Sequence, residues 1–526
     1  MTVAPASAEK PIIPEDRAPH PWPRWATLSA SSIIFLAAIL RIFRWVHWRA
    51  LWLDEIYLAE SISRRGLAAL LFKPLEDWQL APPGFLVAER LVASVFGTGE
   101  RSLRLFPLFM GLAALPLFFA VTRRVLGPRG GVFAMSLFAV LGPLIYYASE
   151  VKQYSSDVTV CLAIVLAMLR FIERPCPRRA KLAAAVGVIG ILFSHPAFLV
   201  CAGTGLAALW QLWLDEKHRK NNSLLNSPSI HRLLIIGTVW VATFLLDYLI
   251  FLRGAISGES HPHLVEYWAA RDAFMPLWPR WMAPWIFKRF WAICSEPGAM
   301  WMPNPDAGAI ALFLGIAVII ARRQRRLLLV LSPLAIVVLA SAVKQYPFAD
   351  RLALFAVPLL IIAMAAGVES LLEGGPGLVA GILIGAIVLY PSATRALDYW
   401  LAPPGREESL GAYRWIASHW QAGDVLYLSN FAQTSYAYYK PASGWKLDPE
   451  KTGVLHVGPR FDHGIGPVVR DEKSLAGARR VWVVVIHLNS DEEEITRAGL
   501  DAIGREQAAM DHFEEGARVY FYDCGP

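Results

Sequence analysis

Long apolar runs separated by short polar stretches fill residues 26–394. A helix needs about 20 mostly apolar residues to cross a bilayer. Eleven runs approach that length, so the pattern predicts about eleven transmembrane helices. They are residues 26–46, 103–122, 131–149, 155–172, 182–194, 197–214, 233–252, 307–321, 327–343, 352–372 and 376–394.

A further apolar stretch, PPGFLVAERLVASVFG at 82–97, carries Glu89 and Arg90 at its centre. Charged side chains are costly in lipid. We therefore predict an amphipathic helix on the outer membrane surface here, rather than another span.

The pattern changes near residue 400, where the chain becomes more polar. Helix-like and strand-like periods then alternate, in the order SLGAYRWIASHW, DVLYLS, FAQTSYAYY, RVWVVVIH, SDEEEITRAGLDAIG and ARVYFYD. Such alternation predicts a small α/β domain over residues 400–526, following a transmembrane module at 25–395. Because no Gly-rich fingerprint follows a strand, we expect no nucleotide-binding site in this domain.

The composition excludes several classes of protein. Mean hydropathy is +0.41 and charged residues make up 18%, against roughly 25% in a soluble domain. Soluble enzymes, disordered scaffolds and disulfide-stapled secreted modules are therefore excluded. The formal net charge of +7 indicates loop orientation in a membrane rather than nucleic-acid binding.

Basic residues gather in four alternate loops, which by the positive-inside rule are cytoplasmic. They are Arg123, Arg124 and Arg129; Arg174, Arg178, Arg179 and Lys181; Lys217, Arg219, Lys220 and Arg232; and Arg322, Arg323, Arg325 and Arg326. The opposite side then carries the outer loops 47–102, 253–306 and 344–351 and the α/β domain. The polar, Pro-rich residues 1–24 are predicted to form a disordered cytoplasmic tail.

Two acidic residues, Asp54 and Glu55, follow the first span directly in LWLDEIYLAESI. An acidic residue here can cap a short interfacial helix. It can also act as a general base held at the membrane surface. Both interpretations remain open at this stage.

A second acidic cluster is Glu150, Tyr154 and Asp157 in YYASEVKQYSSD. The spacing i, i+4, i+7 predicts that all three line one face of a helix entering the membrane. Such groups need a polar cavity or a partner. Lys152 and Lys344 could supply a purely structural ion pair.

Lys344, Tyr346 and Arg351 lie in the short outer loop KQYPFADRL, where the positive-inside bias disfavours cations. Phosphate binding would explain them. The alternative is that the two cations snorkel at helix ends.

Two further residues are candidates for substrate binding. His195, in FSHPAF, is either a packing residue or a ligand. Trp268 is one of six tryptophans in loop 253–306, which form an interfacial belt, stack on sugar rings, or do both.

Taken together, these motifs resemble the GT-C glycosyltransferases. The likeness is strongest to bacterial enzymes related to the protein O-mannosyltransferases and the aminoarabinose transferase of lipid A (glycosyltransferase family 39 and 83 type). It covers about residues 26–390, with its specific part at 52–157, and rests on QLAPPGFL, EVKQYSSD and KQYPFADRL. The resemblance implies a GT-C fold.

The resemblance also implies site residues. Asp54 would be the catalytic base, Glu55 the second acid of the pair, and either Glu150 or Asp157 the acid of the second outer loop. The loop of Lys344, Tyr346 and Arg351 is similar in position to one that contacts the donor phosphate. From the residues themselves, we add Lys152 as a candidate for phosphate binding and Tyr154, His195 and Trp268 as candidates for substrate binding. Where family members often carry His or Lys before the Pro-Pro pair, this chain has Gln79, Leu80 and Ala81, so Lys73 becomes a candidate for that contact.

The predicted function is transfer of a sugar from a polyprenyl-phosphate donor to a lipid, glycan or protein acceptor. It would take place at the outer face of the cytoplasmic (inner) membrane, facing the periplasm or exterior, with inversion at the anomeric carbon. The sequence requires no cofactor, although a divalent metal between Asp54 and the second acid is compatible with it. The alternatives are a transporter or flippase of a lipid-linked sugar, and a non-catalytic assembly partner.

Overall fold

The computed structural model describes residues 22–75, 79–218, 227–256, 260–458, 475, 478–487, 490–502 and 504–524. Most of the predicted tail, residues 1–21, lies outside them. Its last residues do not fit the prediction of disorder, because Trp22 is buried and its indole donates to the Leu126 carbonyl oxygen at 3.3 Å.

Each of the eleven apolar runs coincides with a helix of the membrane module. These helices are α1 (Arg24–Val46), α6 (Leu105–Val125), α7 (Pro128–Val140) with α8 (Gly142–Tyr146), α9 (Tyr154–Glu173), α10 (Pro177–Phe193), α11 (Ala197–His218), α12 (Pro228–Asp247), α16 (Pro305–Ala321), α17 (Arg325–Ala342), α18 (Val357–Leu372) and α19 (Leu378–Leu401). Within the described residues, eight helical segments are long and apolar enough to cross a membrane. A ninth results if the pair bent by 59° at residue 141 counts as one span.

Helices α9 and α18 form the centre of the module, because both are buried on nearly all faces. Close packing around α18 depends on small residues. A Cβ atom at Gly315 of α16 would overlap the Ala363 carbonyl oxygen of α18, so only glycine permits this approach. The more exposed helices α1, α12 and α19 carry apolar side chains outward, as expected for faces against lipid.

Short helices cover one end of the module. They are α2 (Leu53–Arg64), α3 (Leu67–Phe72), α4 (Pro83–Phe96), α5 (Glu100–Leu103), α13 (Arg253–Ile256), α14 (Ser260–Ala270) and α15 (Pro279–Cys294). Helix α4 is the predicted amphipathic helix. It buries Glu89, whereas Leu91, Val95 and Phe96 are exposed on its other face.

The C-terminal domain contains a mixed sheet, confirming the predicted α/β region. Its helices are α20 (Ser409–His419), α21 (Ala432–Tyr439), α22 (Pro449–Thr452) and α23 (Ser490–Asp501). Its strands are β1 (Val425–Leu428), β2 (Val454–Val457), β3 (Arg480–Ile486), β4 (Arg505–Glu506), β5 (His512–Glu514) and β6 (Ala517–Asp523).

The strand order is β2-β1-β3-β6-β4, with β5 also paired to β6. β1 is parallel to β2 and β3, and β3 is antiparallel to β6 with Trp482 opposite Phe521. The sequence predicted β1, β3 and β6, which are largely buried apolar runs. It missed β2, β4 and β5, which are short and more exposed.

Candidate active site

Helix α2 places two neighbouring carboxylates at the membrane-module surface that faces the C-terminal domain. It begins at Leu53, so Asp54 and Glu55 lie in its first turn. Acidic side chains are favoured there by the partial positive charge of a helix N-terminus. Because successive residues of a helix point about 100° apart, the two carboxylates enter different surroundings.

Asp54 points towards a cluster of cations. Its Oδ2 accepts a hydrogen bond from Arg351 Nη2 at 3.0 Å, and its side chain is 21% exposed. Burial alone would raise the pKa of Asp54, but the charges of Lys152, Arg351, Arg406 and His487 hold that pKa below its usual value. Asp54 is thus a partly accessible, ionised carboxylate.

Two of the cations around Asp54, Arg351 and Arg406, share an aromatic neighbour, Trp52. The guanidinium carbon of Arg406 lies 3.3 Å from the centroid of the indole ring, and that of Arg351 lies 5.7 Å from it. Lys152 is buried, and its ammonium group donates to the side-chain oxygen of Gln79. Burial lowers the pKa of Lys152, although nearby Asp54 opposes the effect.

Glu150 is fully buried beside Trp52, whose indole N–H donates to its Oε1. Burial, followed by the charge of Glu55, raises the pKa of Glu150. The prediction that Glu150 shares a helix face with Tyr154 and Asp157 is wrong. Helix α9 begins only at Tyr154, and Glu150 has extended backbone angles before it.

Glu55 makes a closed ion pair on the other side of α2. Arg104 donates Nε to Oε1 at 2.9 Å and Nη2 to Oε2 at 2.6 Å, and the Val151 N–H also donates to Oε1. Glu55 is 0% exposed, so both its oxygens are occupied and shielded from solvent. In this geometry no face of the Glu55 carboxylate is open to a substrate, so Glu55 acts here as a structural ion-pair partner of Arg104.

Asp157 and Tyr154 lie deeper, at the start of the membrane-spanning helix α9. Asp157 is buried, and its Oδ1 has no hydrogen-bond partner among the described residues. The Tyr154 ring packs edge-on against Tyr147 at 5.0 Å between centroids. In the part of the chain that the structure describes, Asp157 makes no ion pair with the cations around Asp54. Glu150, by contrast, lies 3.8 Å from Arg406.

The predicted phosphate loop separates into unlike positions. Arg351 joins Asp54, whereas Lys344 is exposed at the end of α17 with a φ of +55°. The hydroxyl of Tyr346 donates to the Leu352 carbonyl oxygen at 2.8 Å and so fixes its own loop. The structure therefore does not bring Lys344 into the cluster, and Tyr346 supports the loop from within.

The two other substrate-binding candidates are Trp268 and His195. Trp268 is 9% exposed and packs with Ala273 and Ala349, which leaves no open ring face for a sugar. His195 instead lines a small groove. Its other polar lining residues are Lys73, Gln79 and Asp247, and its walls are apolar side chains of α3, α4 and the segment after α12.

Sequence reasoning missed the contribution of the C-terminal domain. Glu408 Oε2 accepts from the Ala50 N–H at 2.9 Å, the Tyr439 hydroxyl from the Leu51 N–H at 2.6 Å, and Glu407 Oε2 from the Leu53 N–H at 2.9 Å. These contacts hold the segment that leads into Asp54. The order of charges in GREESL was the available signal, but no periodicity marked it as part of a site.

Glu407 also pairs with His487, at 2.6 Å from Nδ1. The hydrogen bond with Glu407 raises the pKa of His487, against the effect of burial. His487 and Arg406 thus add two groups from beyond residue 400 to the surroundings of Asp54.

The surroundings of Asp54 do not fit a divalent metal. Among the described residues, no group of three or more His, Cys, Asp or Glu side chains is placed to hold a metal ion. Moreover, Lys152, Arg351 and Arg406 already supply positive charge to the carboxylate that would have to bind the metal.

Comparisons with known proteins point to one superfamily. A family model described as dolichyl-phosphate-mannose-protein mannosyltransferase matches residues 81–246. No match appears among curated protein sequences.

Among solved structures, the Archaeoglobus fulgidus oligosaccharyltransferase AglB, in complex with an inhibitory peptide and a dolichol-phosphate, is similar. Its TM-score is 0.51 at 13% identity, over 95% of this chain and 74% of AglB. The same enzyme with zinc and sulfate gives a TM-score of 0.53 at 11% identity, covering 94% of this chain and 73% of that chain. ArnT from Cupriavidus metallidurans bound to undecaprenyl phosphate gives 0.39 at 18% identity, covering 95% and 98%.

The family match overlaps the stretch on which the sequence resemblance rests, and the two AglB structures extend the likeness over nearly the whole chain. The chain is a polytopic membrane protein with the fold of the GT-C glycosyltransferase superfamily.

Proposed function

We propose that this protein transfers a sugar from a lipid-phosphate donor to an acceptor hydroxyl, with Asp54 as the general base. The observation that carries this proposal is the geometry of Asp54: a partly exposed carboxylate in a setting of Lys152, Arg351 and Arg406. A base beside several cations suits a reaction in which a hydroxyl loses a proton while a phosphate leaves. The dolichol-phosphate bound to the structurally similar AglB supports a donor of this class.

In the proposed reaction, Asp54 removes the proton of the acceptor hydroxyl as its oxygen attacks the anomeric carbon. The bond between that carbon and the phosphate oxygen breaks, and the lipid phosphate leaves with the electron pair. Attack from the face opposite the phosphate inverts the anomeric centre. Arg351 and Lys152 stabilise the negative charge that develops on the phosphate.

The Arg351–Asp54 contact gives the donor a second effect. A phosphate that shares Arg351 would draw its guanidinium partly away from Asp54. The carboxylate then becomes a stronger base in the presence of the donor, because part of the charge that lowers its pKa is neutralised. Proton removal is thereby favoured when the donor is bound.

The groove beside Gln79 offers a path for the lipid. Gln79 lines the groove and also accepts a hydrogen bond from Lys152, which joins the groove to the cation cluster. Leu70, Phe72, Ile250 and Phe251 give its wall an apolar character that suits a prenyl chain. Lys73 lies on the same wall and is a second candidate for the phosphate.

We further propose that the site faces the periplasm or exterior of a cytoplasmic membrane. When the predicted spans are threaded through the membrane in order, the four basic loops fall on the side opposite Asp54. The positive-inside rule makes that side cytoplasmic, which supports this orientation. A donor carried by lipid would then replace nucleotide sugars, and polyprenyl phosphate would remain in the membrane after transfer.

The test is a transfer assay in proteoliposomes. Undecaprenyl-phosphate-linked hexoses and pentoses are supplied as donors, and a total cell-envelope extract serves as acceptor. Donor-dependent release of undecaprenyl phosphate, with the sugar covalently attached to an acceptor, is expected. Movement of intact donor between leaflets without cleavage would instead identify a transporter or flippase.

A further inference from the structure

Two guanidinium groups lie against one indole ring beside Asp54. Arg351 and Arg406 are 5.7 Å and 3.3 Å from the centroid of Trp52. Like charges placed together in this way repel each other unless an anion lies between or beside them. Arg351 has such a partner in Asp54, at 3.0 Å.

Arg406 has no carboxylate partner as close as that, although the Tyr146 hydroxyl and Glu150 lie near it. Its nearest carboxylate oxygen in the described part of the chain is Glu150 Oε1 at 3.8 Å, which is beyond hydrogen-bond distance. That oxygen already accepts the Trp52 indole N–H. The Arg406 side chain is 37% exposed, so its remaining donors can reach a ligand.

A purely structural role explains Arg406 poorly. The segment is already held to the membrane module by its two following residues, since Glu407 binds the Leu53 N–H and Glu408 binds the Ala50 N–H. The contact of the half-buried Arg406 with the Trp52 ring contributes on the order of 0.5–2 kcal/mol. Lys152, the third cation, donates to an amide oxygen rather than to a carboxylate, so the cluster keeps surplus positive charge.

We infer that Arg406 is a third phosphate-binding residue, through which the C-terminal domain closes the donor site. The inference rests on the proposed function. Arg406 would add a fork of N–H donors from the C-terminal domain to that of Arg351, beside the Trp52 ring against which both guanidinium groups lie. Donor binding would thereby tie residues beyond 400 to the membrane module.

The experiment measures binding of undecaprenyl phosphate to the full-length protein in nanodiscs, by titration and by the ligand-induced shift in thermal unfolding. The variants are Arg406→Gln, Arg406→Lys and the control Arg497→Gln. Arg497 also lies over an aromatic ring, Tyr520, and pairs with Glu506, but within the C-terminal domain. Undecaprenol, which lacks the phosphate, is titrated in parallel.

Arg406→Gln should weaken undecaprenyl phosphate binding on the order of tenfold or more, the scale of one lost charge-assisted contact. Arg406→Lys should lie between it and wild type, and Arg497→Gln should match wild type. Undecaprenol binding should be the same in all four proteins. An unfolding midpoint without ligand reports whether Arg406→Gln is intact, and Arg406→Lys retains the charge if it is not.

Wild-type affinity in Arg406→Gln, or an equal loss of undecaprenol binding, would overturn the inference while leaving Arg351 and Lys152 as the phosphate ligands. Failure of the wild-type protein itself to bind undecaprenyl phosphate would contradict the proposed function instead. The two failures are therefore distinguishable in one set of titrations.

Discussion

Asp54 and Glu55 are adjacent in sequence and lie in the same helical turn, yet they occupy opposite kinds of surroundings. Glu55 is 0% exposed and bound through both oxygens by Arg104. Asp54 is partly exposed and, among the described residues, has one hydrogen bond, from Arg351. One carboxylate has all its bonding capacity used within the protein, whereas the other keeps an oxygen without a hydrogen bond in the described part of the chain, beside a cluster of cations.

Charge pairing alone therefore does not identify a reactive group. Both carboxylates have cationic partners, and in both cases those cations hold the pKa below its usual value despite burial. What separates them is whether lone pairs and solvent access remain. A buried, fully bonded pair fixes the chain, and a partly bonded carboxylate can exchange its partner for a substrate.

Removing the Asp54 carboxylate should have the largest effect on function. Asp54→Asn keeps size and hydrogen bonding but removes the base, so transfer should fall about 10²–10⁴-fold. The thermal unfolding midpoint should stay close to wild type, because Asp54 is partly solvated. Transfer at the wild-type rate in membranes carrying this variant would exclude Asp54 as the base.

Removing the charge of Glu55 should affect stability rather than chemistry. Glu55→Gln leaves Arg104 buried without its carboxylate, and breaking such a pair costs about 3–5 kcal/mol. Thermal unfolding in detergent measures the loss, and activity per folded molecule should remain near wild type. The control is Glu296→Gln, which breaks an exposed pair with Arg395 and should cost about 0–1 kcal/mol. A stable but inactive Glu55→Gln protein would return Glu55 to the reaction.

The two cations of the loop 344–351 provide a smaller contrast. Arg351→Gln removes a group next to Asp54 and should weaken transfer by about 1.5–3 kcal/mol, roughly ten- to hundredfold in kcat/KM for the donor. Lys344→Gln, in the same loop but exposed and outside the cluster, should change it little. Equal losses in both variants would show that the phosphate is bound by the loop as a whole.

The sequence predicted the membrane module well because lipid imposes a strong and simple pattern. All eleven apolar runs became helices, and the amphipathic interpretation of 82–97 matches α4, in which Glu89 is buried and Leu91 is exposed. Three-dimensional neighbours were less predictable. Spacing placed Glu150 on the helix of Asp157, but the backbone becomes helical only at Tyr154, which lets Glu150 reach Trp52.

Arg406 and His487 could not be found in this way, because they are about 350 and 430 residues from Asp54 along the chain and approach it only through domain packing. No local pattern reports such an approach. The exposed Lys344 shows the opposite error: sequence proximity to Arg351 suggested a shared site, but its left-handed backbone at φ +55° ends helix α17 and leaves the side chain in solvent.

The pH dependence of transfer offers the finest test of the contrast between the two carboxylates. The charges of Lys152, Arg351 and Arg406 lower the pKa of Asp54, so its basic form persists as the pH falls and activity should be lost only below the usual carboxyl range. Lys152→Gln removes one of these charges and should raise the pKa of Asp54, which moves the acid limb of kcat/KM to higher pH. Lys344→Gln should leave the limb in place, since Lys344 is not among the charges that act on Asp54.

Unfolding midpoints measured over the same pH range separate this effect from acid denaturation, to which Glu55 contributes. The lowered pKa of Glu55 adds stability above its unfolded value, and this stability is lost as the pH falls through the folded value. An acid limb that coincides in wild type and Lys152→Gln would mean that the titrating base is not the carboxylate beside Lys152, and the assignment to Asp54 would have to be given up.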